Sequence, residues 1–144
     1  MATRSTIAVE LADGRVRQVY CHWDGYLDHN GQLLIDLYNG QRMAEALTEL
    51  GSISSLKERI DPIGAHSFDK PEPGTTIYYC RDRGEPLQVN YFPSVEAYKR
   101  DLDGEEYDYL FSNGEWTVRS YRPSTWVPVE KLLEARAAEN EAAD

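Results

Sequence analysis

The chain opens with an alternation of apolar and polar residues that predicts a β-hairpin. Ile7, Val9 and Leu11 fall on one face of a strand, because successive side chains of a strand point to opposite sides. Asp13-Gly14 follows, and both residues tolerate the positive φ angles of a tight turn. Residues 16–23, rich in β-branched and aromatic side chains, predict the returning strand.

After Gly25 the apolar residues recur at the spacing of a helix. Asp28 and Asn30 are short polar side chains able to cap a helix that begins near Gln32. Asn39-Gly40 interrupts the apolar stripe and Gly51 ends it, so two short helices or one bent helix both fit. The members of the stripe are Leu33, Leu34, Leu37, Tyr38, Met43, Ala44, Leu47 and Leu50.

Residues 52–74 carry mixed signals, including Pro62, Pro71 and Pro73, and predict mostly loop, with a helical turn at 56–60 as one option. Loops of this length are uncommon inside a compact domain and are often functional. The segment carries His66 and Phe68 and is a candidate cover for residues 20–26.

The second half predicts two more strands, at residues 75–80 and 86–92, joined by a turn at 81–84. Ser94 is a good N-cap for a short helix over residues 95–102.

A second hairpin is predicted where aromatic and polar residues alternate from Tyr107 to Phe111, turn at Asn113-Gly114 and return through Trp116 and Val118. After Arg122-Pro123, a terminal helix is predicted to start at Pro128 and to give way to a flexible acidic tail from about residue 137. Its inward residues are Val129, Leu132 and Leu133.

This order of elements predicts one α+β domain spanning residues 1–144. An antiparallel sheet of about six strands, built from hairpins and with helices packed mainly on one face, would bury both kinds of apolar stripe. A chain of 144 residues is long enough to bury a hydrophobic core without the support of disulfides or metal ions.

Composition and charge narrow the function classes. The chain has 15 Lys and Arg against 25 Asp and Glu, a net charge of −10, whereas nucleic-acid binders usually present a basic footprint. Direct nucleic-acid binding is therefore not expected. The charge fits an ordinary soluble protein, or one with an acidic face that enters a basic groove of a partner as a nucleic-acid mimic would.

Cysteine and hydropathy patterns point to the cytoplasm. Two cysteines, Cys21 and Cys80, are too few for a disulfide framework, and no signal peptide is visible. No apolar run approaches the length of a membrane span, so no membrane association is expected.

Residues 20–26 hold the densest concentration of reactive side chains, but a catalytic or metal site is weakly supported. Cys21 and His22 point to opposite faces of a strand, so a catalytic Cys21 would need another base, such as His66. The alternative is that Cys21 is a small buried hydrophobe. Zinc would accept Cys21, His22, His66 and Cys80, but the paired short spacings of zinc sites are missing, and no metal or cofactor is predicted.

The same stretch suggests a pocket for a small nucleotide-like ligand. Trp23 and Tyr26 could stack on a base-like ring beside His22 and Asp24, while Arg81 and Arg83 reach a phosphate. The alternative is that Trp23 belongs to the core and the motif only shapes the corner between strand and helix.

A candidate protein-binding surface follows the densest acidic run, which consists of Asp101, Asp103, Glu105, Glu106 and Asp108. Its members are Asp101, Asp103, Glu105 and Glu106, together with Tyr107, Tyr109 and Trp116 as aromatic anchors. Most acidic runs are simply solvated faces. No Walker-type loop, Rossmann fingerprint, Gly-x-Ser-x-Gly elbow or His-Glu-x-x-His helix occurs.

The opening Met-Ala-Thr-Arg-Ser-Thr-Ile-Ala, the stretch Tyr-Cys-His-Trp-Asp-Gly-Tyr at 20–26 and Leu-Gly-Ser-Ile-Ser-Ser-Leu at 50–56 resemble a family of small bacteriophage and prophage proteins of no settled activity. The resemblance covers most of the chain and is most distinctive in the first sixty residues. It implies an accessory protein in the bacterial cytoplasm that acts on host physiology or defence.

Taken together, the sequence predicts a non-enzymatic protein that binds, and modulates or inhibits, a host or defence protein through its acidic, aromatic surface. The alternative is a protein that sequesters or hydrolyses a small nucleotide-like ligand at His22, Trp23, Asp24 and Tyr26.

Overall fold

A computed structural model describes residues 2–120 and 124–143 and confirms the first hairpin. Strands β1 (Ser5–Glu10) and β2 (Val16–Trp23) pair antiparallel, with Ile7 opposite Val19. Gly14 in the connecting turn has a φ of +91°, a conformation that glycine adopts without steric cost.

The described residues form eight strands in one mixed, largely antiparallel sheet, which confirms the α+β class. The strands are β1, β2, β3 (Ile53–Ser55), β4 (Ile77–Tyr78), β5 (Asn90–Phe92), β6 (Tyr107–Ser112), β7 (Glu115–Ser120) and β8 (Trp126–Pro128). Their order is β4-β3-β2-β1-β6-β7-β8, and β5 pairs with the first half of β2. Parallel pairing joins β1 to β6 and β2 to β3.

The second hairpin is also confirmed. β6 and β7 pair antiparallel around a turn in which Asn113 and Gly114 both have positive φ, 53° and 77°. This is the geometry that an Asn-Gly turn supplies to a right-twisted hairpin. The break at Arg122-Pro123 lies outside the described residues.

Two short helices follow β2, which confirms the first of the two predicted arrangements and excludes one bent helix. A π-helical turn (Leu27–Gly31) leads into α1 (Gln32–Leu37), and α2 (Gln41–Glu49) begins after Gly40. The predicted cap at Asp28 or Asn30 is wrong, because both residues lie inside the π-helical turn and α1 has no side-chain cap.

The segment between α2 and β5 departs most from the prediction. β3 lies in the expected loop, and residues 56–60 form no helical turn. The expected strand at 75–80 is only Ile77–Tyr78, because the Asp82 carboxylate accepts the backbone N–H of Tyr78 and starts α3 (Tyr79–Arg83). Gly84, with a φ of +73°, ends that helix.

The last two helices match their predicted positions. α4 (Val95–Asp101) is capped by Ser94, whose Oγ accepts the backbone N–H of Ala97 at 3.1 Å. α5 (Val129–Ala143) begins directly after Pro128. It stays helical beyond residue 137, where the sequence predicts a flexible tail.

The sheet is covered on both faces, but unequally. The main core lies between the sheet and helices α1, α2 and α5, and its centre includes Val9, Leu34, Leu47 and Tyr38. A smaller core of Ala8, Val16, Leu110 and Tyr98 lies under α4 on the opposite face, called here the α4 face. Among the described residues, no helix combines the length and apolar character that crossing a membrane requires.

Candidate functional site: an acidic cleft on the α4 face

Alternation along β2 sends two sets of side chains to two environments. Val19 and Cys21 enter the main core. Gln18, which precedes Val19, and Tyr20, which lies between Val19 and Cys21, point to the other side and line a cleft on the α4 face. The alternating pattern that predicted the strand therefore also supplies the polar lining of the site.

This cleft, called here the acidic cleft, has a volume of about 500 Å³. Strands β1 and β2 contribute Thr6, Gln18 and Tyr20, and β5 with the residue before it contributes Val89, Asn90, Tyr91 and Phe92. The end of α4 and the segment that follows contribute Asp101, Asp103 and Glu105.

The three carboxylates are only partly neutralised. Asp101 forms an exposed ion pair with Arg100 at 3.0 Å, and the hydrogen bond from Arg100 lowers the pKa of Asp101. Within the described part of the chain, the side chains of Asp103 and Glu105 have no hydrogen-bond or ion-pair partner. Burial, reinforced by Asp108 and Glu106 and opposed by Arg4, raises the pKa of Glu105. The cleft therefore carries unbalanced negative charge.

Two buried polar groups, one lining the cleft and one beside it, have no hydrogen-bond partner among the described residues. Gln18 is 4% exposed, and its Oε1 accepts from Asn90 Nδ2 at 3.3 Å, but its Nε2 has no hydrogen-bond partner in residues 2–120 and 124–143. The hydroxyl of Tyr98 also lacks a hydrogen bond of good geometry within the described chain, although the Thr6 and Gln18 side chains lie close enough to oppose the rise that burial causes in its pKa. Such groups cost free energy when desolvated and unpaired, so they mark a place where a ligand could supply the missing bond.

A buried ion pair fixes the segment that carries Asp103 and Glu105. Asp108 is fully buried and accepts from Thr6 Oγ1 at 2.6 Å, from the backbone N–H of Glu105 at 3.2 Å and from Arg119 at 3.0 Å. A Cβ on Gly104 would overlap the Arg119 guanidinium, so a larger residue here would push that group away from Asp108. The backbone that carries Asp103 and Glu105 is thus held in place by Asp108.

The motif at 20–26 shapes a corner more than it builds a pocket. The Gly25 N–H donates to the Thr3 carbonyl at 2.8 Å, and Tyr109 donates its hydroxyl proton to the Gly25 carbonyl at 2.8 Å. A Cβ at Gly25 would lie 2.6 Å from Ser5 Cβ, which explains a glycine here. These contacts favour the predicted corner role.

Of the four candidate ligand residues in that motif, none is buried. Trp23 and Tyr26 are 42% and 40% exposed, so the interpretation of Trp23 as a core residue is wrong. His22 Nδ1 and the Tyr20 hydroxyl share a hydrogen bond of 2.7 Å. The His22 ring packs edge-on against the Trp23 ring. Asp24 has a φ of +56°, and among the described residues its carboxylate has no partner, so it does not orient His22.

The two candidate phosphate-binding arginines are engaged elsewhere. Arg81 donates to Asp82 at 2.8 Å, to the Ile60 carbonyl at 2.7 Å and to the Thr76 carbonyl at 2.8 Å. Arg83 pairs with Glu85 and lies over the Phe68 and Tyr79 rings.

A second cleft, of about 460 Å³, contains Arg83 and Tyr20. Among the described residues, His22 contacts Trp23, and Tyr20 links His22 to the cleft that contains Arg83, but Trp23 and Tyr26 do not line that cleft.

The long loop holds α3 rather than the motif at 20–26. His66 Nε2 lies 3.1 Å from the Asp82 carboxylate, and His66 Nδ1 accepts the backbone N–H of Glu72 at 3.0 Å, which places the ring proton on Nε2. Phe68 packs against Tyr79. The sequence predicts the loop as a candidate cover for residues 20–26. In the structure, His66 and Phe68 of the loop instead contact Asp82 and Tyr79 of α3.

The four candidate metal ligands sit in separate networks. Cys21 accepts from Asn30 Nδ2 at 3.4 Å inside the core, and burial raises the pKa of its thiol to about 11, despite hydrogen bonds from Asn30 and Ser5. The thiol is therefore neutral at pH 7, as the buried-hydrophobe interpretation has it. Across residues 2–120 and 124–143, no group of three or more His, Cys, Asp or Glu side chains is arranged to hold a metal ion.

The predicted protein-binding surface needs a correction. Asp101, Asp103 and Glu106 are exposed and Glu105 and Tyr107 are half-buried. Tyr109 and Trp116 are 0% and 1% exposed, so their assignment as surface anchors is wrong. Alternation along β6 and β7 turns both rings into the main core, where Trp116 donates to the Tyr38 carbonyl at 3.1 Å.

The aromatic residues beside the carboxylates are Tyr20, Tyr91 and Phe92, which the sequence analysis did not single out. Tyr91 is 51% exposed. Comparisons with protein-family models, curated proteins and solved structures found no match to this chain, so the function rests on this geometry.

Proposed function

We propose that this chain is a non-enzymatic binding protein that engages a basic partner protein through the acidic cleft and the exposed carboxylates around it. The observation that supports this most directly is that Asp103 and Glu105 line the cleft and form no ion pair with any described residue. Opposite charges across an interface raise the association rate and select the partner.

The resemblance of the chain to small phage and prophage proteins gives the partner a setting. We propose a host or defence protein of the bacterial cytoplasm, whose basic surface is occupied by the acidic chain and whose activity is thereby modulated or inhibited. A net charge of −10 supports this role.

Binding is favoured over catalysis because the groups best suited to chemistry are engaged in structure. The Cys21 thiol is buried and neutral, and the Arg81 guanidinium is tied to Asp82 and two backbone carbonyls. His22 and Asp24 form no hydrogen-bonded pair with each other.

A pull-down from bacterial lysate with two charge-matched variants tests the proposal. Asp103→Asn/Glu105→Gln removes two charges from the cleft, and Glu49→Gln/Glu134→Gln removes two from exposed helix positions elsewhere. We expect the first variant to lose a basic partner that the wild type and the second variant retain. High salt should weaken the capture of that partner by the wild type. Equal capture by both variants, or capture insensitive to salt, contradicts the proposal.

The alternative of a small nucleotide-like ligand is tested on the same proteins. A ligand that binds only the folded chain raises its melting temperature. A nucleotide panel should leave the wild type unchanged. A rise that disappears in His22→Ala or Arg83→Ala would move the function to the cleft that contains Arg83 and Tyr20.

A further inference from the structure

We propose that the acidic cleft is a subsite for an arginine side chain presented by an extended segment of the partner, with its guanidinium on Asp103 and Glu105 and a neighbouring backbone carbonyl accepting from Gln18 Nε2. This inference rests on the proposed binding function and specifies the group that enters the cleft. Three properties of the cleft support it: unpaired charge, an unpartnered buried donor, and size.

The negative charge of the cleft favours a cationic ligand with several hydrogen-bond donors. Asp103 and Glu105 both line the cleft and have no ion-pair partner within residues 2–120 and 124–143. A guanidinium presents donors in a planar fork that can serve two carboxylates at once, which the compact ammonium of lysine does less well. The aromatic walls, Tyr20, Tyr91 and Phe92, suit the same flat group.

The guanidinium contact has a precedent within the chain. The guanidinium carbon of Arg15 lies 4.9 Å from the centre of the Tyr91 ring. The aromatic edge of β5 is therefore compatible with an arginine close by.

The amide of Gln18 requires a different kind of group from the same ligand. Its Nε2, unpartnered among the described residues, is a donor and needs an acceptor, but the carboxylates that line the same cleft disfavour an anion. A neutral carbonyl meets both conditions. Peptides carry carbonyls next to their side chains, whereas polyamines carry cations alone, so the combination points to a peptide segment.

The size of the cleft agrees with this occupant. A volume of about 500 Å³ lies in the range of small-ligand pockets. It accommodates a side chain together with its flanking backbone.

The test uses the full chain and defined probes. The capped peptide acetyl-Gly-Gly-Arg-Gly-Gly-amide is titrated into ¹⁵N-labelled protein, beside the same peptide with citrulline, which is neutral but nearly isosteric, and beside spermidine. We expect the arginine peptide to shift the Gln18 side-chain amide and the backbone amides of residues 89–92 and 101–105. The citrulline peptide should bind about tenfold more weakly or worse, as loss of a charge-assisted hydrogen bond predicts.

Variants separate the parts of the cleft. Asp103→Asn/Glu105→Gln should weaken the arginine peptide about tenfold or more, while Glu49→Gln/Glu134→Gln should leave it unchanged. Gln18→Met, a change of similar volume, should weaken the peptide several-fold but not spermidine, which has no carbonyl. Far-UV circular dichroism of each variant shows that its fold is retained.

Several results would overturn the inference. These are shifts confined to another face, citrulline and arginine peptides of equal affinity, equal weakening by the two double variants, or no effect of Gln18→Met on the peptide. If one of these results is found while Asp103→Asn/Glu105→Gln still abolishes capture of a basic partner from lysate, the inference fails and the proposed function stands. If neither the peptide nor a basic partner binds, both fail.

Discussion

At the scale of single residues, neighbours in one acidic run have different roles. Asp101 is exposed and paired with Arg100, Asp103 is exposed and unpaired, and Asp108 is fully buried against Arg119. Composition cannot separate these three carboxylates. Alternation can, because Asp108 sits between the inward residues Tyr107 and Tyr109 and must point to the α4 face.

The buried pair between Asp108 and Arg119 gives the first prediction. Arg119→Met leaves the carboxylate of Asp108 buried without its cation, so the free energy of unfolding should fall by about 3 kcal/mol in urea titrations. Asp108→Asn/Arg119→Met should lose less than the sum of the single changes, because the double variant contains no unpaired charge.

An exposed pair on the same part of the chain serves as control. Arg100→Met removes the partner of Asp101 where both side chains are more than half exposed, and it should leave stability unchanged within error. A loss as large as that of Arg119→Met would show that charge near the cleft, rather than burial of Asp108, sets the cost.

At the scale of elements, one carboxylate closes the long loop. Glu72 accepts from the backbone N–H groups of Ile63 and Gly64 at 3.0 and 2.7 Å and from the Thr75 hydroxyl at 2.6 Å. It also pairs with Arg59 at 3.1 Å. The hydrogen bond from Thr75, followed by the others, lowers the pKa of Glu72 to about 2.

A pH-dependent effect of Glu72→Gln on the loop follows. A lowered pKa in the folded state stabilises the fold at pH values above the ordinary 4.5, and this contribution is lost as pH falls toward 2. At pH 7 the variant should exchange the amide hydrogens of Ile63 and Gly64 faster than the wild type, measured by hydrogen exchange. In urea titrations, the stability difference between the two proteins should shrink between pH 4.5 and pH 2. A difference that is constant over this range would contradict the assignment.

Elements with local signals were predictable, and elements made by distant partners were not. The Asp-Gly and Asn-Gly turns, and the Ser94 cap of α4, each act within a few residues, and the structure confirms all three. Strand β3 has only three residues and exists because it pairs parallel to the end of β2. Helix α3 depends on Asp82 reaching back to Tyr78, inside a stretch whose side chains favour a strand.

At the scale of the whole molecule, the candidate site shows the same division. The acidic residues of the cleft are close together in sequence, and the run at 101–106 was recognised. The other walls come from β1, β2 and β5, and β2 meets β5 through the pairing of residues 16–18 with residues 90–92. No sequence pattern links Gln18 to Asn90, so the floor of the cleft required the structure.

The parallel pairing of β1 with β6 makes the two hairpins parts of one sheet, with Ser5 beside Tyr107 and Val9 beside Phe111. The main core contains Ile7 and Val19 from the first hairpin and Trp116 and Val118 from the second. Neither hairpin buries its apolar face without the other. We therefore expect the described fold to unfold as a single cooperative unit.

Urea unfolding checks this expectation with two probes. In Trp23→Phe/Trp126→Phe, fluorescence reports Trp116, which is 1% exposed in the shared core, while far-UV circular dichroism reports all helices and strands. Both signals should follow one transition, with a common midpoint and a slope of about 2 kcal/mol/M. A Trp116 transition that precedes the loss of circular dichroism would show that the second hairpin separates from a still-folded remainder. Because Asp108 of β6 accepts the backbone N–H of Glu105, such a separation would also release one wall of the acidic cleft before the rest of the chain unfolds.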